Sequence, residues 1–242
     1  MIAGPCAELR RFAVAALVDP VARDHGEGDR ALRRRRVVAA ATFLVGSTVL
    51  AVALRIPGGD PAFYAATAGL AAIWTGGAFA SGPLHLGRAH TRAGTDPARP
   101  VVQSLALGAL LVGVFLVGAL VLGRIPPLRD PVERLLDHAR LGSLLLVALL
   151  TAVNGVAEEL YFRGALYAAI GRRHAVAVST ALYVLTSLGS GIPLLVLAAP
   201  ALGLVTGLQR RVTGGVLGPI ITHITWSLGM LLLLPTALRI GS

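Results

Sequence analysis

Seven stretches of this chain are long, apolar and almost free of charge, and that pattern settles the fold class before any motif is considered. They run roughly over 37–54, 62–84, 101–123, 144–170, 175–190, 192–208 and 213–236. A run of about 18 or more apolar residues is long enough to cross a bilayer as a helix. Charged residues make up 14% of the chain, whereas a soluble domain carries about 25%. Disorder, a DNA-binding module and an ordinary soluble enzyme are excluded. The expected fold is all-α, a polytopic membrane helical bundle of about seven transmembrane helices. The fifth and sixth runs are short, and Pro193 and Pro200 are expected to break them. Gly203 and Gly207 form a GxxxG pair that lets a neighbouring helix approach closely.

The net charge of +10 comes from 22 basic residues, every one of them Arg. They punctuate the apolar runs instead of forming a soluble patch, so they read as topology signals and not as a nucleic-acid footprint. Residues 1–36 form an Arg-rich leader. Its 7–18 stretch is amphipathic and suits a membrane surface. From Asp19 it reads as a polar linker ending in Arg33, Arg34, Arg35 and Arg36. Arginines at 88, 92 and 99, at 172 and 173, and at 210 and 211 mark inner loops. The 124–143 segment reads as an outer loop, although it carries four arginines among Asp130, Glu133 and Asp137. The N-terminus is expected inside and the C-terminus outside. The chain then divides into the leader 1–36, N-terminal transmembrane helices over 37–140 and a core over 141–236. The single cysteine, Cys6, rules out an internal disulfide framework. The Ala-, Gly-, Leu- and Val-rich, Lys-free composition points to a GC-rich bacterial genome and hence to a bacterial plasma membrane.

Ionisable groups inside spans are costly and therefore draw functional attention. Ten of the twelve acidic residues fall in the leader, in loops or at span edges; the exceptions are the adjacent Glu158 and Glu159. Their span, TAVNGVAEELYFRGALYAAIG, also holds Arg163 and Asn154, the only asparagine of the chain. Glu159 and Arg163 are four apart and can pair on one helix face. Asn154 and Glu158 are also four apart, which gives Glu158 a neutral hydrogen-bond partner. A Glu without a compensating cation suits general-base work on a water. His223 is the histidine inside a span, with Ser227 four residues on. Glu158 lies 14 residues from Arg172 and His223 lies 12 from Arg211. At 1.5 Å per residue both sit roughly 18–21 Å from the same boundary. One shared site explains this better than two accidents, and a buried polar knot tying helices together is the plainer alternative.

The EELYFRG segment resembles the EExxxR motif of the CPBP intramembrane proteases, which include the type II CAAX prenyl proteases and many bacterial Abi-type membrane proteins. The resemblance covers about residues 140–235. It implies that Glu158 and Glu159 are the motif glutamates, that Arg163 is the motif arginine and that Glu158 activates the attacking water. GLVTGLQRRVTGGVLGPIITHITWSLG is similar to the family's last block and places its histidine on His223. The chain departs from the family twice. In TALYVLTSL, Tyr183 takes the aromatic place and Ser187 stands where a histidine is usual. Ser227 stands where an asparagine or aspartate follows the last histidine. Ser187 lies 14 residues from Arg173, at the depth of Glu158. Asn154 is a candidate substitute for the missing asparagine, whereas Tyr183 and Thr186 read as packing residues.

These residues make up the candidate catalytic set: Glu158, Glu159, Arg163, His223, Ser187, Ser227 and Asn154. Serine is neither an imidazole base nor a strong metal ligand, and a zinc site wants three or more His or carboxylate ligands. Family members are often labelled metalloproteases, yet a metal-free glutamate mechanism fits this set better than zinc. The leading expectation is an intramembrane endopeptidase. In it His223 donates to the oxyanion or orients the water, with Ser187 and Ser227 assisting. The expected partners are membrane lipids and a membrane-protein or lipidated-peptide substrate, with no nucleic acid. A catalytically impaired relative acting in binding, scaffolding or immunity is the second reading. A small carboxylate-dependent transporter is the third, although no inverted repeat is evident.

Overall fold

The computed structural model describes residues 4–18, 26–90, 97–171 and 173–240. Six helices are long and apolar enough to cross a membrane: α2 (Asp29–Ala53), α3 (Ala62–Ser81), α4 (Val101–Leu122), Leu144–Ile170, α9 (Pro193–Thr213) and α10 (Leu217–Ile240). A shorter apolar helix, α8 (Ala175–Leu188), joins them. The expected polytopic all-α bundle is what forms. The span Leu144–Ile170 has three parts: α6 (Leu144–Glu159), a wide π-helical turn (Leu160–Leu166) and α7 (Tyr167–Ile170). A two-residue antiparallel pair, Ala89–His90 with Pro97–Ala98, lies between α3 and α4.

Pro193 and Pro200 do not break the fifth and sixth runs. Pro193 begins α9, where its missing N–H would have no helical partner anyway, and α9 continues unbroken through Pro200 to Thr213. Gly214, at φ 73°, then ends the helix in the left-handed region that glycine enters freely. The GxxxG reading holds. A Cβ on Gly203 would lie 2.9 Å from Thr180 of α8, so the bare backbone is what lets α8 and α9 close up.

Two basic segments turn out to be helical. The 124–143 segment is not an open loop: α5 (Pro126–Leu141) starts on two prolines and buries Val132 and Leu136 against Ala119, Ile192 and Leu238. Its outer face carries ion pairs of Arg129 with Glu133 at 3.4 Å and of Arg140 with Asp137 at 3.3 Å and with Glu133. An amphipathic helix in which Arg129 and Arg140 have acidic partners accommodates the arginines that accumulate here.

Arg33–Arg36 are likewise not the end of a linker, because α2 already starts at Asp29. Arg34 donates to Ala80 O at 3.0 Å, and Arg35 donates to Ser81 Oγ and to Pro83 O, both at 3.1 Å. Arg36 donates to Ala169 O at 3.0 Å. Helix C-termini leave carbonyls without partners, and these side chains satisfy them at the ends of α3 and α7. Arg35 is also bonded to Glu27, whose carboxyl it holds below the usual range.

The leader stretch forms α1 (Pro5–Ala13) and a wide turn to Val18, with Phe12 and Ala16 packed on Leu107 and Val212. The part of the linker over 19–25 lies outside the described residues. The core of the bundle centres on Trp74, stacked on Tyr161 at 4.5 Å and tilted on Phe162 at 5.3 Å between centroids. This packing fixes the wide turn against α3, and the Tyr161 hydroxyl donates to Ala39 O of α2 at 2.7 Å.

Candidate active site

The polar side chains of the candidate site come from three places. α6 and its wide turn supply Asn154, Glu158, Glu159 and Arg163; α8 supplies Tyr183 and Ser187; α10 supplies His223 and Ser227. Glu159 and Arg163 pair as their spacing predicts, with Nη1 3.3 Å from Oε1 and both side chains fully buried. The same Oε1 lies 2.7 Å from His223 Nδ1. A carboxylate held by a guanidinium can only accept, so Nδ1 carries the proton. That leaves His223 Nε2 facing Glu158 Oε2 at 3.9 Å. Arg163 also donates to Gly203 O at 3.3 Å and lies over the Tyr183 ring, 4.7 Å from its centroid.

The two glutamates therefore differ in kind. Glu159 is sealed and engaged by two neighbours. Glu158 has no guanidinium on it, is 16% exposed, and borders a cavity of about 260 Å³. The helical spacing gave each glutamate its partner class, and the structure changes one of the partners. Asn154 does not bond Glu158. Its Nδ2 donates to Thr67 O at 3.1 Å and to Leu150 O at 3.0 Å, because the side chain turns towards α3. With both amide hydrogens committed, Asn154 has no donor left for an oxyanion and does not replace a catalytic asparagine.

The partner of Glu158 is Tyr183, whose hydroxyl donates to Oε2 at 3.0 Å. The packing role expected for Tyr183 is thus only half of its part. The signal was available in the sequence: Tyr183 is the hydroxyl-bearing aromatic one turn before Ser187, on a segment already placed at the depth of Glu158. Ser187 lines the cavity, but its hydroxyl donates to Tyr183 O of its own helix at 2.9 Å. Ser227 and Asn154 line the same cavity, and so does Thr186, which is bonded to Ser47 at 2.9 Å. A second cavity of about 230 Å³, walled almost wholly by apolar side chains, shares Phe63 and Trp226 with the first.

The donor set does not fit a zinc ion. Of the three groups with metal-ligand chemistry, Glu159 is held by Arg163, and His223 has spent Nδ1 on Glu159. Glu158 and His223 Nε2 remain, one ligand short of the three that a catalytic zinc needs. Among the described residues no other cluster of His, Cys, Asp or Glu could complete it.

What remains is a carboxylate beside an imidazole nitrogen and a phenol, opening on a cavity inside a membrane bundle. That set can take a proton from a water and donate a hydrogen bond to a developing negative charge. Residues 140–229 match the family model described as type II CAAX prenyl endopeptidase Rce1-like, and the match includes every residue of this set. No curated protein and no solved structure matches the chain.

Proposed function

Starting from a chain whose residues 140–229 match the Rce1-like prenyl endopeptidases, consistent with a member of the CPBP family, we propose that this integral membrane protein is an intramembrane endopeptidase driven by Glu158. The observation that carries the reading is the asymmetry of the glutamate pair. Glu159 is locked between Arg163 and His223, whereas Glu158 borders the cavity with His223 Nε2 at 3.9 Å and the Tyr183 hydroxyl at 3.0 Å.

In this mechanism a water bridges Glu158 and His223 Nε2, a gap wide enough for one bridging molecule. Glu158 takes its proton, and the hydroxide oxygen bonds to the carbon of a peptide carbonyl. The carbonyl oxygen becomes an oxyanion. The Tyr183 hydroxyl, released as Glu158 is protonated, donates to it. The proton on Glu158 then passes to the amide nitrogen as the oxyanion re-forms the C=O bond and the C–N bond breaks, leaving a carboxylic acid and an amine and returning Glu158 to its carboxylate form. His223 accepts from the water instead of donating to the oxyanion, because its proton is on the Glu159 side. No step uses a metal.

The substrate class is a membrane protein or a lipidated peptide. The mostly apolar wall of the reaction cavity and the apolar cavity beside it suit such a chain. The Lys-free, Ala-, Gly-, Leu- and Val-rich composition supports a bacterial plasma membrane, and the arginine pattern supports an N-terminus in the cytoplasm. The test is cleavage, in proteoliposomes, of a farnesylated CAAX peptide and of a panel of single-span membrane segments, read by mass spectrometry. Wild type cuts at least one and Glu158→Gln cuts none. If wild type cuts none, or if Glu158→Gln cuts as fast, the reading is wrong.

A further inference from the structure

Arg210 belongs to an arginine pair that a charge count assigns to an inner loop, yet its side chain is buried in the bundle at 7% exposure. Its Nε donates to Arg163 O at 2.8 Å, and its guanidinium carbon lies 5.1 Å from the centroid of the Tyr167 ring. The backbone explains why that carbonyl is available. In an α-helix Arg163 O would accept from Tyr167 N–H. Here Tyr167 N–H goes to Phe162 O and Gly164 O instead of Arg163 O. Arg210 supplies a donor in place of Tyr167 N–H and also covers the ring of that residue. Short π-helical insertions need such outside support and concentrate at functional sites.

What hangs on that carbonyl is the rest of the site. The Arg163 side chain touches Glu159, Gly203 O and the Tyr183 ring. Tyr183 holds Glu158, and Glu159 holds His223. α9 thus grips the wide turn twice, through Gly203 O on the Arg163 side chain and through Arg210 on the Arg163 backbone.

We propose that Arg210 is a positioning residue that holds the wide turn open in the register in which Arg163 reaches both Glu159 and Tyr183. The proposal rests on Glu158 being the reactive carboxylate, and its test keeps the two ideas apart. The variants are Arg210→Gln, Arg210→Lys and, as the neighbour control, Arg211→Gln; Arg211 reaches out to Ala16 O in the leader turn. The first readout is kcat and KM in proteoliposomes on whichever of the farnesylated CAAX peptide and the single-span segments wild type cuts. The second needs no activity: the rate at which dicyclohexylcarbodiimide labels Glu158, located by mass spectrometry.

Displacing a catalytic constellation by a fraction of an ångström costs on the order of tenfold or more. Arg210→Gln is therefore expected to lower kcat by about tenfold with KM within about twofold, and to change Glu158 labelling by at least about threefold. Arg210→Lys, which keeps one donor but not the flat face over Tyr167, falls between. Arg211→Gln matches wild type in both readouts. The proposal is overturned if Arg210→Gln and Arg210→Lys both behave like Arg211→Gln. If wild type cleaves nothing, the endopeptidase reading falls, and the labelling comparison alone decides the role of Arg210. If Arg210→Gln does not fold, the lysine variant carries the comparison.

Discussion

Replacing Arg163 by methionine removes the cation that pairs with Glu159 while keeping much of its apolar length. The structure sets the scale of the effect. The guanidinium lies 3.3 Å from Glu159 Oε1, and both side chains are at 0% exposure. At an effective dielectric of about 20 that pair is worth roughly 5 kcal/mol of attraction. The variant also loses the bond to Gly203 O and the contact over the Tyr183 ring. What remains is a carboxylate sealed from water with one imidazole for company. Breaking a buried pair by deleting one partner costs about 3–5 kcal/mol, whereas neutralising both partners is far milder. Arg163→Met should therefore destabilise by about 3–5 kcal/mol, Glu159→Gln by a similar amount, and the double variant by less than either alone. Reversible unfolding in mixed micelles, followed by tryptophan fluorescence, measures all three. Additive single effects, or an Arg163→Met loss below about 1 kcal/mol, would refute the assignment of this pair as a sealed unit.

Three further outcomes are expected. His138 of α5 is buried and stacked on Phe63 at 3.6 Å, and burial holds its pKa below the ordinary value of about 6.5. The unfolded chain then binds the proton more readily. The contribution of His138 is complete above about pH 6.5 and is lost as pH falls through the folded value, so wild type should weaken between pH 7.5 and 5 while His138→Phe changes less. Gly203→Val should drive a methyl group into Thr180, which a Cβ alone would approach to 2.9 Å. A loss of about 1–3 kcal/mol is expected, with thermal unfolding in detergent as the check. Chelation by EDTA or phenanthroline should leave peptide cleavage unchanged, because Glu158 and His223 Nε2 offer too few ligands for zinc; loss of activity that added zinc restores would contradict the donor-set argument.

The spans were legible in the sequence because the bilayer demands long apolar helices, and neither charge nor length was ambiguous over 37–123. The pairing of Glu159 with Arg163 was legible for a similar reason, since a four-residue spacing puts two side chains on one face whatever surrounds them. Asn154 shows where that logic stops. The same spacing places it near Glu158, but a backbone carbonyl of α3 lies within reach and takes its amide hydrogens instead. Tyr183 escaped for the opposite reason: a tyrosine in a span is ordinarily packing, and only the approach of α8 to α6 turns its hydroxyl onto a carboxylate. The helical nature of α5 was obscured by its three arginines, two of which, Arg129 and Arg140, gain acidic neighbours only once the helix forms. Arg210 was misread along with Arg211, because no charge count can tell a guanidinium bound to a skipped carbonyl from one that faces water.

The bonds made by Arg34, Arg35 and Arg36 also impose an order in time. α2 is the first long helix of the chain to be synthesised, and N-terminal parts emerge first. The carbonyls that Arg34 and Arg35 meet, those of Ala80 and Pro83, lie 46 and 48 residues downstream, and the Ala169 carbonyl that takes Arg36 lies 133 residues downstream. The basic end of α2 is therefore fastened in two stages: Arg34 and Arg35 can meet the end of α3 as soon as that helix is made, whereas Arg36 waits for the turn that carries Glu159 and Arg163. The span that carries the glutamate pair is thus tied to the first long helix before the helices that bring Tyr183 and His223 have been made.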